Sequence, residues 1–192
     1  MLNVNNIKIN FSNKNYSGSN SGNIINILFF DKNKKLINKP SWLTQQTIKF
    51  INKTIKNPSL KDFSIIRSEY GCYLLVKDFY KNKDEMNNLD IENLGGKVFG
   101  IMHQNNFKNV EIYLEEINFS CNFLFGFLLS SYSFNNFKSS KNVKNTLNIN
   151  FRSENFKKIK KLFNEYQSIC KGVFFTRDLV WKPANLLYPK IF

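Results

Sequence analysis

The chain has 192 residues, 42% of them hydrophobic and 16% aromatic, which is enough apolar material to close a core and too much for a disordered chain. Lys and Arg number 28 against 14 Asp and Glu, a formal net charge of +14. The excess is spread over all segments, so it favours polyanion contact only in a general way. Cys72, Cys121 and Cys170 stand far apart and form no C-x-x-C pair, a pattern of buried thiols in a reducing compartment and not of a disulfide framework or zinc knuckle. The start of the chain, MLNVNNIKIN, has no apolar leader, and the runs Ile24–Phe30 and Phe123–Leu129 are too short to cross a bilayer. The expectation is a cytoplasmic protein with no membrane contact.

In chain order, Ile7, Ile9 and Phe11 alternate with Lys8 and Asn10 and predict a half-buried strand. Residues 12–23 are rich in Ser, Asn and Gly and read as a loop. Ile24–Phe30 is a short apolar run, as expected of a central strand. After Pro40, the spacing of Leu43, Thr47, Phe50, Ile51 and Ile55 predicts an amphipathic helix over 42–56, ended near Pro58. Residues 63–67 and 72–79 read as two strands of a hairpin turning at Tyr70 and Gly71. Ile91, Leu94, Val98, Ile101 and Met102 have helical spacing, interrupted by Gly95 and Gly96 at about 1 kcal/mol each relative to Ala. That cost predicts a neighbouring element in close approach. Val110, Ile112 and Leu114 predict a strand, residues 122–132 a helix apolar nearly all round, and 139–145 a polar loop. Leu147, Ile149 and Phe151 predict a last strand. Phe156, Ile159, Phe163, Tyr166, Cys170 and Val173 then line one side of a long helix, with Ser153 as its N-cap and Pro183 stopping it near Trp181 and Lys182. Mixed strands and helices with apolar central strands predict an α/β domain, a three-layer sandwich with helices on both faces of the sheet.

The inventory of chemical groups is short. His103 is the only histidine, and its place at a helix end suits a surface or capping role. There is no H-E-x-x-H, Cys/His cluster or phosphate-binding glycine loop. The carboxylate neighbours Asp84/Glu85, Asp90/Glu92 and Glu115/Glu116 are adjacent or nearly so, and such side chains diverge, which favours a solvated face over a shared metal or proton. Ser130 and Ser131 have no evident base partner.

Three segments carry a resemblance. They are Leu94-Gly95-Gly96-Lys97; Gly126 to Phe134 followed by Phe137-Lys138-Ser139; and Arg177-Asp178-Leu179 with Pro183-Ala184-Asn185 and Pro189. In order and spacing they resemble segments of the leucyl (cytosol) aminopeptidase family of metallopeptidases. The third is similar to that family's junction between a non-catalytic N-terminal domain and a C-terminal peptidase domain. Two places depart from the pattern: Lys77-Asp78-Phe79 replaces a glycine-containing turn, and Trp181-Lys182 replaces smaller or acidic residues.

The resemblance implies a mixed sheet of the macro-domain type over residues 1–152, a connector helix over 153–183, and the start of a peptidase domain at 184–192. It further implies that the family's two divalent metals, Zn or Mn, lie in the peptidase domain, where they activate a bridging water. No catalytic or metal-binding residue carries over to this chain. Arg177, Asp178, Pro183, Asn185 and Pro189 match the junction only, with Arg177 and Asp178 expected to make helix-end and interdomain polar contacts. The implied role is assembly with a separate peptidase domain or with further copies, as in the family's hexamer. The alternative is a basic module making weak, non-specific nucleic-acid contacts, which requires Lys34, Lys35, Lys39, Lys49, Lys53, Lys56 and Lys157–Lys161 to converge on one face.

Overall fold

A computed structural model describes residues 2–4, 7–13, 24–31, 33–37, 40, 42–57, 59–77, 87–134 and 146–182. Parallel strands form the middle of one mixed sheet, in the spatial order β2 (Ile7–Ser12), β8 (Leu147–Arg152), β7 (Asn109–Tyr113), β3 (Ile24–Phe30) and β6 (Gly71–Val76). Antiparallel strands close both edges: β1 (Leu2–Val4) pairs with β2, and β5 (Phe63–Ser68) pairs with β6. A short strand, β4 (Leu36–Ile37), folds back on the end of β3. The sequence pattern did not announce β1 or β4. Gly71, at φ +129°, closes the β5–β6 hairpin in a conformation that only glycine adopts cheaply.

The helices divide between the two faces, as the three-layer expectation required. Helix α1 (Gln45–Ile55) covers one face, where its Ile51 and Ile55 meet Leu28, Phe30, Tyr73 and Leu75. Helices α2 (Asn88–Gln104), α3 (Ile117–Ser130) and α4 (Phe156–Val180) cover the other, over Ile25, Ile27, Leu74, Val110, Ile112 and Ile149. Phe123, Phe127 and Phe163 are fully buried there, each worth roughly 2–3 kcal/mol of transfer free energy.

Local chemistry sets the helix ends. Thr44 caps α1, so that helix starts three residues later than Trp42; Trp42 is instead free to reach the sheet. Asn87 caps α2, and its far end is a Schellman closure: Asn106 takes φ +55°, Phe107 N–H donates to Met102 O and Asn106 N–H to His103 O. Helix α3 begins at Ile117, five residues before the expected start, because Glu116 accepts from the backbone N–H groups of Asn118 and Phe119. Ser153 does not cap α4 as expected. The cap position is Asn155, and Ser153 accepts from Asn155 N–H while its hydroxyl donates to Glu115. Helix α4 ends at Val180, in keeping with a stop near Trp181 and Lys182. Of the loop expected over 12–23, Ser12 instead ends β2 and residues 14–23 lie outside the described residues, as do the expected loop over 139–145, the strand end at Phe79 and the tail from Pro183 to Phe192.

Helices α2 and α3 touch backbone to backbone. A β-carbon on Gly95 would overlap the Phe123 carbonyl oxygen, and one on Gly126 would overlap the Glu92 carbonyl oxygen. A β-carbon on Gly96 would meet the Ser130 hydroxyl, whereas the helical glycines Gly100 and Gly172 have open space around them. Gly95→Ala and Gly126→Ala should therefore each cost about 2 kcal/mol or more, since overpacking outweighs the gain in helix propensity. Gly100→Ala and Gly172→Ala should each stabilise by about 0.5–1 kcal/mol. Urea unfolding of the four variants checks both signs; a neutral Gly95→Ala would mean that the helices can part without loss.

All three thiols are free and buried, and burial pushes Cys121 and Cys170 up to about 12, with Cys72 also raised. An unfolded thiol ionises near about 8.5, so the folded state holds protons that the unfolded state has lost. Stability from this source is complete below that pH and falls as pH rises toward 12. Denaturant midpoints should decline steadily above about pH 9, and a thiol-reactive dye at pH 8 should label the native protein only at the rate of unfolding.

Candidate functional site: a polar sheet face and the end of the long helix

The face of the sheet that carries α1 changes character across the strands. Toward β6 it is apolar and lies under α1. Toward β2 the same face carries Asn10 and Ser12 on β2, Asn150 and Arg152 on β8, Glu111 and Tyr113 on β7, and Asn26 on β3. The register sets Asn10, Asn150, Glu111 and Asn26 side by side in one row, with Ser12, Arg152 and Tyr113 in the next.

The rows are joined by hydrogen bonds. Asn10 donates to Asn150 (3.1 Å), and Asn150 donates to Glu111 Oε1 (2.8 Å). Arg152 donates through Nε to Glu111 Oε2 (2.8 Å), through Nη2 to Oε1 (3.3 Å), and through Nη1 to Ser12 (2.7 Å). Glu111 is 3% exposed and Arg152 6%. Taking both charges out of water is costly, and only a fork geometry with the remaining polar atoms satisfied offsets the cost. Alongside, the Tyr113 hydroxyl accepts from Trp42 Nε1 (2.6 Å), and burial, followed by the Glu111 charge, pushes this phenol up to about 12. The strand alternation of β8 was readable from the sequence. The burial of Glu111 and Arg152 was not, because a charged residue on the alternate face of a strand reads as solvated until its partner on the next strand, 41 residues away, is known.

The second feature is the C-terminal half of α4. Arg177 Nη1 donates to the carbonyl of Leu129 (3.0 Å) in the last turn of α3, and its guanidinium lies 5.4 Å from the centre of the Tyr132 ring. A cation suits that helix end, where carbonyls lack partners. The Tyr132 hydroxyl donates to Asp178 Oδ1 (2.8 Å). Arg177 and Asp178 thus fasten α4 to the end of α3 within this chain. On either side of this clasp apolar side chains are exposed: Trp181 stacks on Phe134 with ring centres 6.2 Å apart yet stays 63% exposed, and Phe175 and Val180 are 65% and 77% exposed. Pro183, Asn185 and Pro189 lie outside the described residues.

The described parts of the three sequence segments singled out for their resemblance meet here, while Phe137-Lys138-Ser139 lie outside the described residues. Gly95 packs on α3 at Phe123, Gly96 faces Ser130, Gly126 packs on α2 at Glu92, and Arg177 closes on Leu129. They are packing and clasp residues, and none presents a nucleophile or base. Glu115 and Glu116 diverge, the first to Ser153 and the Glu154 N–H, the second to the start of α3. His103 is exposed at the end of α2 beside Phe99. Among the described residues no group of three His, Cys, Asp or Glu could hold a metal ion, so the described residues do not fit a two-metal centre. Lys49, Lys53 and Lys56 belong to or adjoin α1, whereas Lys157, Lys158, Lys160 and Lys161 are exposed on α4 over the opposite face of the sheet. The basic groups that a single nucleic-acid surface would need are therefore divided between two faces; Lys39 lies outside the described residues.

No family model matches the chain. It is 30% identical over 207 residues to the cytosol aminopeptidase of Rickettsia prowazekii (strain Madrid E), and the alignment takes in 97% of this chain and 40% of that protein. It is 28% identical, with the same coverage, to the probable cytosol aminopeptidase of Rickettsia felis (strain ATCC VR-1525 / URRWXCal2). A solved structure of a mutant tomato leucine aminopeptidase shares the fold with a TM-score of 0.63 at 18% identity, over 96% of this chain and 40% of that one. The class that these observations define is an aminopeptidase-like α/β domain. Over nearly its whole length the chain is homologous to the N-terminal part of the leucyl, or cytosol, aminopeptidases, and it spans about two-fifths of the length of the curated relatives it matches. No described helix is long and apolar enough to cross a membrane.

Breaking the buried pair from one side should be severe. Glu111→Ala or Arg152→Ala should each cost about 3–5 kcal/mol by leaving an uncompensated charge, while Glu111→Leu with Arg152→Met should recover much of the loss. Equilibrium denaturation of the three variants measures this, and single losses under about 1 kcal/mol would show a solvated pair.

Proposed function

We propose that this chain is a non-catalytic domain of the leucyl aminopeptidase type, serving assembly with a peptidase part and not peptide cleavage. The observation that carries the reading is the coverage: almost all of this chain aligns with two-fifths of the relatives. On this reading residues 1–152 are the domain proper, 153–183 a connector, and 184–192 the approach to the peptidase part. In the family that part uses two divalent metals, Zn or Mn, to release N-terminal residues from peptides, and the whole enzyme forms a hexamer in the cytoplasm. The exposed Phe175, Val180 and Trp181 near the Arg177 clasp suit a surface that a further domain covers.

The net charge of +14 supports nucleic-acid binding as a second reading. The division of the lysines between opposite faces limits it to weak, salt-sensitive contacts.

The purified chain, supplied with Zn or Mn, should release no leucine from leucine amide above a blank. Metal-dependent release that a chelator abolishes would overturn the reading. Binding to duplex DNA should be weak and should vanish on raising salt through the physiological range; a sequence-specific complex that survives would favour the second reading instead.

A further inference from the structure

We draw no further inference here: the strongest candidate, the apolar surface patch that Phe175, Val180 and Trp181 expose at the carboxyl end of α4, adds nothing to the assembly role already proposed for it, because nothing in the structure shows what covers it.

Discussion

The contact on which the rest of this structure depends is the one between α2 and α3 at Gly95 and Gly126. Helix surfaces ordinarily hold two axes about 8–10 Å apart. Here the missing β-carbons let the backbone of α2 rest on the backbone of α3 at Glu92 and Phe123. That closeness lets both helices lower their apolar sides, Leu94, Val98 and Met102 from one and Phe123 and Phe127 from the other, onto the same strip of sheet. Helix α4 then packs against α3 through Phe125 and Tyr166 and closes on its end through Arg177. The three layers are stacked from this contact outward.

The opposite face follows a different rule. A parallel sheet is normally apolar on both sides, and under α1 this one is. Over β2, β8 and β7 it instead holds a row of amides around one buried ion pair. A slip of one residue in β8 would drive Arg152 into the helix-covered core and leave Glu111 alone, so the pair adds to hydrophobic alternation in fixing strand register. That is a gain in specificity obtained at some expense in stability, since an apolar pair of the same volume would avoid the desolvation.

Much of the architecture was legible because hydrophobic period is a local property. The alternation at Ile7–Phe11 and Leu147–Phe151, the apolar run at Ile24–Phe30 and the stripe from Phe156 to Val173 each marked its element correctly. Boundaries were less legible where a polar side chain had more than one use. Glu116 moved the start of α3, and Ser153, expected as a cap, serves Glu115 and the turn before α4. Strands β1 and β4 are too short to carry a period at all. Gly95 and Gly96 illustrate the opposite case: their propensity cost in a helix marked a close approach, and only the partner was unknown. The ion pair was invisible, because Glu111 and Arg152 are 41 residues apart and meet only through the parallel pairing of β7 and β8.

The residues that make the chain resemble an aminopeptidase are thus the ones that pack its helices and fasten its last one. They specify a scaffold with one end presented outward, and this is the physical basis for reading it as an assembly domain. The most direct measurement is a chimera in which this chain replaces the aligned two-fifths of the Rickettsia prowazekii cytosol aminopeptidase, compared with the parent by sedimentation velocity and by leucine amide hydrolysis. The account predicts the parent's assembly state and metal-dependent activity within about tenfold, a loss of roughly 1.4 kcal/mol at most in transition-state stabilisation. A chimera whose peptidase part folds and works while this chain stays detached from it, as shown by separate unfolding transitions and an altered assembly state, would contradict it.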